Sequence, residues 1–114
     1  MILLLTFLLL VQDPSWEQVR GKIALHESNH GKYRVHLNLD GTVDLGLYQI
    51  SSIHLNGRGS VGKAFDKIFK KHKIARTDRV EAVIHNDKLN EELAKKLYEM
   101  RGLKSWTSSR KFIK

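Results

Sequence analysis

The 114-residue chain contains no cysteine. A disulfide framework, a thiolate zinc site, an iron–sulfur cluster and a cysteine nucleophile are therefore excluded, and histidine and carboxylates remain as the available metal ligands. Proline occurs once, at Pro14, and no internal repeat or low-complexity linker interrupts the chain. A multidomain or repeat architecture is thus excluded, and one domain is expected. Long apolar runs are missing as well. Met1 to Val11 is apolar but for Thr6, and its eleven residues fall short of the roughly twenty that span a hydrocarbon core. That length suits the hydrophobic part of an export signal, although no Lys or Arg precedes it and no small-x-small cleavage pattern follows it. We expect residues 1–14 to be an export segment, with a segment packed on the fold as the alternative, and residues 15–114 to form the domain.

Acidic residues are few beside basic ones. Twelve Asp and Glu face twenty Lys and Arg, for a formal charge of +8, which favours polyanionic partners such as an acidic wall polymer, anionic lipid or nucleic acid. The basic residues gather at Lys67, Lys70, Lys71, Lys73 and Arg76, and again at Arg101, Lys104, Arg110, Lys111 and Lys114. Aromatics make up only 8% and are not interleaved with these clusters as base stacking requires, so no nucleic-acid partner is expected. Hydrophobic residues at 41% are enough for a modest core.

Patterning predicts a mostly helical α+β fold. Ser15-x-x-Gln18 is a capping box, and Trp16, Val19, Ile23 and Glu27 follow at helical spacing, so a helix is expected over about 16–27. Tyr33, Val35, Leu37 and Leu39 alternate onto one side before the turn signal Asp40-Gly41, which predicts a small hairpin. Gly46 to Ile53 suits a short buried helix. Ala64, Phe65, Ile68 and Phe69 mark a further helix after the loop 56–60. Asp78-x-x-Glu81 caps a short helix, Asn90 is expected to cap another that carries Leu93, Leu97 and Met100, and Gly102 stops it. Tyr98 is expected in the core, and no heptad seam calls for a partner helix, so a monomer is expected.

Two chemistries compete at Glu27. It falls on the apolar stripe of its helix, near the C-terminal end, where desolvation and the negative end of the helix dipole both raise a carboxyl pKa. A carboxyl kept protonated near neutral pH serves as a general acid. His26-Glu27-Ser28-Asn29-His30 also fits H-E-x-x-H, in which two histidines one turn apart bind zinc, with His36 at a third-ligand spacing but Tyr33 where a turn glycine belongs. A non-catalytic basic module that binds wall polymer or nucleic acid is the third alternative.

Glu27-Ser28-Asn29, then Asn38 to Asp44, then Gly46-Leu47-Tyr48-Gln49-Ile50-Ser51-Ser52 resemble the lysozyme-like glycan-cleaving superfamily. The block is similar both to c-type lysozymes and to the small lytic transglycosylases of secretion systems and phages. Asn90, Ala94 to Leu97, Gly102 and Trp106 resemble its closing helix and the Trp beyond it. The lack of cysteine favours the transglycosylase branch. The resemblance implies a lysozyme-like fold and peptidoglycan glycan strands as substrate, cleaved between N-acetylmuramic acid and N-acetylglucosamine without cofactor or metal. Under it Glu27 is the general acid, with Trp106 packed against it. Asp44 is the second carboxylate of a hydrolysing lysozyme or an auxiliary group in a transglycosylase. Ser28 orients Glu27, and Asn38, Tyr48 and Gln49 line the sugar cleft. It further implies export to the periplasm, wall or exterior, in the company of a secretion system or phage particle.

Overall fold

The computed structural model describes residues 14–110; the expected export segment, but for Pro14, lies outside them. Helix α1 is Trp16–Ser28, followed by strands β1 (Val35–Leu37), β2 (Val43–Leu45) and β3 (Ile50–Ser51). Helices α2 (Gly59–Lys71), α3 (Arg79–His85) and α4 (Asp87–Arg101) come next, and a 3-10 segment Gly102–Trp106 leads into the short α5 (Thr107–Arg110). The protein is therefore mostly helical with one small antiparallel sheet. No described helix is long and apolar enough to cross a membrane.

Helix α1 begins where its capping box places it, with the Ser15 amide donating to Gln18 Oε1 at 3.0 Å, and it buries Trp16, Val19, Ile23 and Ala24. It stops at Asn29, whose φ of 51° is left-handed; asparagine tolerates that region better than most residues. Helix α4 packs against α2, α3, β3 and the 3-10 segment. Its residues Leu93 and Leu97 join Phe65 and Phe69 of α2, Val83 of α3 and Trp106 in one core. Tyr98 is buried as expected and its hydroxyl donates to the Pro14 carbonyl. Gly102, at φ 61°, closes α4 as expected.

The hairpin forms, but its expected apolar side is open to solvent. Tyr33, Val35, Leu37 and Leu39 are all exposed: β1 is an outer strand with no residue in the core, whereas β2 and β3 send Leu45 and Ile50 into it. The expected helix over 46–53 is instead a tight turn, strand β3 and a 3-10 turn at Ser52–His54. Gly46 (φ 78°) and Gln49 (φ 54°) both take left-handed backbone, which a right-handed helix cannot contain. Asn90 is also not a cap. Asn86 caps α4, accepting from the Leu89 amide at 3.1 Å, and Asp78 stands at the N-cap of α3 without a side-chain cap bond.

Candidate active site

Asn90 lies in the interior of α4, fully buried, and holds the turn that follows β2. Its Nδ2 donates to the carbonyls of Leu45 (2.9 Å) and Val83 (2.8 Å), and its Oδ1 accepts from the Tyr48 amide (2.8 Å). The backbone approaches so closely that a Cβ on Gly46 would sit 2.2 Å from Asn90 Nδ2 and 2.3 Å from the Val83 carbonyl oxygen. Only glycine fits there, for space as well as for its positive φ. Trp106 Nε1 donates to the Tyr48 carbonyl at 2.8 Å, and Ser28 Oγ donates to the Leu47 carbonyl at 2.6 Å while accepting from the Gly31 amide at 2.8 Å. The turn 46–49 is thus clamped to α1, α4 and the C-terminal segment by buried hydrogen bonds, which are stronger and more costly to lose than exposed ones.

That clamp fixes β2 and β3 beside the end of α1. In the sheet register His36 lies opposite Asp44, and Asp44 opposite Ser51. Side chains alternate along a strand, so with Leu45 directed into the core the row His36, Asp44, Ser51 occupies the other face. Glu27, the penultimate residue of α1, faces the same space. A cavity of about 460 Å³ is lined by Glu27, Asp44 and Gln49 together with Tyr33, Val35, His36 and Asn38. A second, of about 340 Å³, shares Glu27, Asp44 and Gln49 and continues past His54, Arg101 and Lys104. One cleft therefore runs to both sides of the two carboxylates.

The Glu27 carboxyl is half-buried and its pKa is raised. Burial is the main cause and the nearby charge of Asp44 adds to it, while the Ser109 hydroxyl, His26 and His36 act in the opposite direction. Ser109 Oγ donates to Glu27 Oε2 at 2.8 Å, and Ser109 is fully buried. This contact spans 82 residues, and nothing in the local pattern around Ser109 signals it. It holds one of the two carboxyl oxygens.

The other sequence-derived site residues divide. Asn38 and Gln49 line the cleft, with Gln49 Nε2 donating to the Gly46 carbonyl at 3.0 Å. Tyr48 does not line it. Its ring packs on Trp16 at 5.1 Å and its hydroxyl donates to Glu91 Oε1 at 2.8 Å, so that burial, followed by Glu91, raises its pKa. Ser28 and Trp106 are buried and line neither cavity. Both hold the backbone of the 46–49 turn, and the hydroxyl hydrogen-bonded to Glu27 is that of Ser109. Asp40 is a turn residue, accepting from the Thr42 amide (2.9 Å) and hydroxyl (2.6 Å).

The H-E-x-x-H spacing is not realised as a helical face. α1 ends at Ser28, and Asn29 and His30 both have positive φ, so His30 is not one helical turn above His26, as that motif requires. Among the described residues no three His, Asp or Glu side chains converge as a metal-binding group. A larger groove of about 580 Å³ lies between α2 and α4, bordered by Lys63, Lys67, Lys71, Lys95 and Lys96. One of its two carboxylates, Glu92, is engaged by Lys71 and His72, and the other, Glu99, by Lys96, so neither is a free acid or base. The half-buried carboxyl with a raised pKa lies in the other cleft, at Glu27. Comparison of the chain with protein-family models, curated proteins and solved structures finds no match.

Proposed function

We propose that the protein is a lytic transglycosylase of lysozyme-like fold that cleaves peptidoglycan strands with Glu27 as acid and base. The observation that carries this reading is the half-buried Glu27 carboxyl, its pKa raised by burial and one oxygen held by Ser109, in an open cleft that it shares with Asp44. A protonated Glu27 donates to the glycosidic oxygen, and the C1–O bond breaks with positive charge developing on the sugar ring. Asp44 and the polar cleft stabilise that charge. The sugar's own 6-hydroxyl then attacks C1 and passes its proton to the Glu27 carboxylate, which leaves a 1,6-anhydro end and returns the acid to its starting state. Asn38 and Gln49 offer amide groups that match the acetamido and hydroxyl groups of the glycan. This role places the protein outside the cytoplasm, acting as a monomer at the cell wall in the service of a secretion system or phage particle.

Hydrolysis is the second reading, favoured by the placement of Asp44 on the central strand within the cleft. Water then takes the place of the 6-hydroxyl and the product is a reducing end. Mass spectrometry of muropeptides released from purified peptidoglycan separates the two. Anhydromuramic ends, reduced at least about 100-fold by Glu27→Gln, are expected. Reducing ends make Asp44 the partner carboxylate, and release that is unchanged in Glu27→Gln overturns both.

A further inference from the structure

The cleft is asymmetric in charge on the two sides of Glu27 and Asp44. On one side it is bordered by Tyr33, Val35, His36 and Asn38, with no Lys or Arg. On the other side Arg101 and Lys104 enter the lining, beside the hydroxyls of Ser105 and Thr107. A third cavity of about 550 Å³ shares Ile53, His54 and Arg101 with that side and adds Arg58. Among the described residues Arg58, Arg101 and Lys104 form no ion pair, whereas Lys70, Lys71 and Lys96 do. The field of Arg101 reaches inward, since it acts with burial to lower the pKa of the half-buried His54.

Resting on the glycan-cleaving reading above, we propose that Arg101 and Lys104 form a carboxylate-binding arm of the cleft that receives the negatively charged substituents of the glycan strand and so sets its direction. Sugar rings are neutral, and the side with Asn38 and Tyr33 suits them. The carboxylates of a peptide-bearing sugar are repelled by the Asp44 carboxylate at the centre and attracted by the unpaired cations beyond, so one orientation of the strand is favoured. Each charge-assisted hydrogen bond formed there adds affinity that falls with salt.

The test compares co-sedimentation and cleavage of insoluble peptidoglycan with the same material after its carboxyl groups have been amidated. Amidation is expected to weaken wild-type binding about tenfold at low salt. R101Q/K104Q is expected to bind untreated wall as weakly as wild type binds amidated wall, while R101K/K104R keeps the preference. K63Q/K67Q, on the distant lysine-bordered groove, is expected to keep it too. Equal sensitivity to amidation in wild type and R101Q/K104Q overturns the proposal, and so does loss of the preference in K63Q/K67Q, because net charge would then account for it. Carboxylate-dependent binding without bond cleavage sinks the glycosidase reading and leaves the basic arm standing. Cleavage with no carboxylate dependence does the reverse, and absence of binding overturns both.

Discussion

At the scale of single residues, the behaviour of Glu27 is set by opposing influences of known sign. Burial raises its pKa and the Ser109 hydroxyl lowers it. In the proposed mechanism Glu27 is a general acid, which works in its protonated form, so the alkaline limb of the activity profile is expected to follow the Glu27 pKa. Ser109→Ala removes a donor to the charged form and is expected to move that limb to higher pH, with a several-fold loss of kcat as the carboxyl loses its anchor. A pH–rate profile checks this, and a merely structural serine would lower the rate without moving the limb. The same shift has a consequence for stability. A carboxyl whose pKa is higher folded than unfolded favours the fold below its unfolded value, and this contribution is lost as pH rises through the folded value. Glu27→Gln is therefore expected to raise the melting temperature at pH 7, with the gain shrinking as pH falls to 4. Thermal scans at the two pH values measure it. Glu27 was legible in the sequence because helical spacing put it on the apolar stripe near a helix end. Ser109 was not, since its role exists only when residues 82 apart meet.

At the scale of elements, the turn between β2 and β3 determines the shape of the cleft. Three backbone groups of β2, α3 and the turn depend on Asn90. Asn90→Ala leaves them buried and unsatisfied and is expected to cost about 3 kcal/mol or more, read as a lower denaturation midpoint in urea with an unchanged slope. The hydrophobic pattern over 46–53 fits a helix as well as a turn and strand. What decides against the helix is contact with Asn90 and Val83, more than thirty positions away, together with the positive φ of Gly46 and Gln49. The exposed side of β1 has a similar origin. Alternation shows that two faces exist, but which face is covered depends on what packs beside the strand, and nothing in the described fold covers Tyr33, Val35 and Leu37.

At the scale of the whole molecule, an ion pair between the buried Arg79 and the partly exposed Asp66 joins α3 to α2, and Arg79 ties them to the loop ahead of α2. Arg79, almost fully buried, lies over the Phe69 ring at 4.5 Å, donates to the Leu55 carbonyl at 2.9 Å and pairs with Asp66 Oδ1 at 2.6 Å. Lys70 and Arg79 together lower the Asp66 pKa to about 2. The stability this contributes is present above the ordinary carboxylate range and is lost as pH falls from about 4 towards 2. Acid unfolding followed by circular dichroism should show a component in that interval that Asp66→Asn removes. The same substitution leaves the Arg79 charge buried without its partner and is expected to lower the melting temperature at pH 7 by at least about 5 °C.

The sequence by itself determined the lack of disulfides, the basic charge, the capping of α1, the stop at Gly102 and the position of Glu27 on the apolar stripe near the end of its helix. All of these follow from residue type or from spacing within one turn of helix or one hairpin, where the interacting groups are chain neighbours. Only the tertiary structure decided that Asn90 is a buried clamp instead of a cap, that Tyr48 belongs to the core, that Ser109 holds Glu27 and that Arg101 and Lys104 border the cleft. Each of these depends on hydrogen bonding, burial or charge between distant segments, and the free energy of such contacts is defined only once packing has brought the segments together.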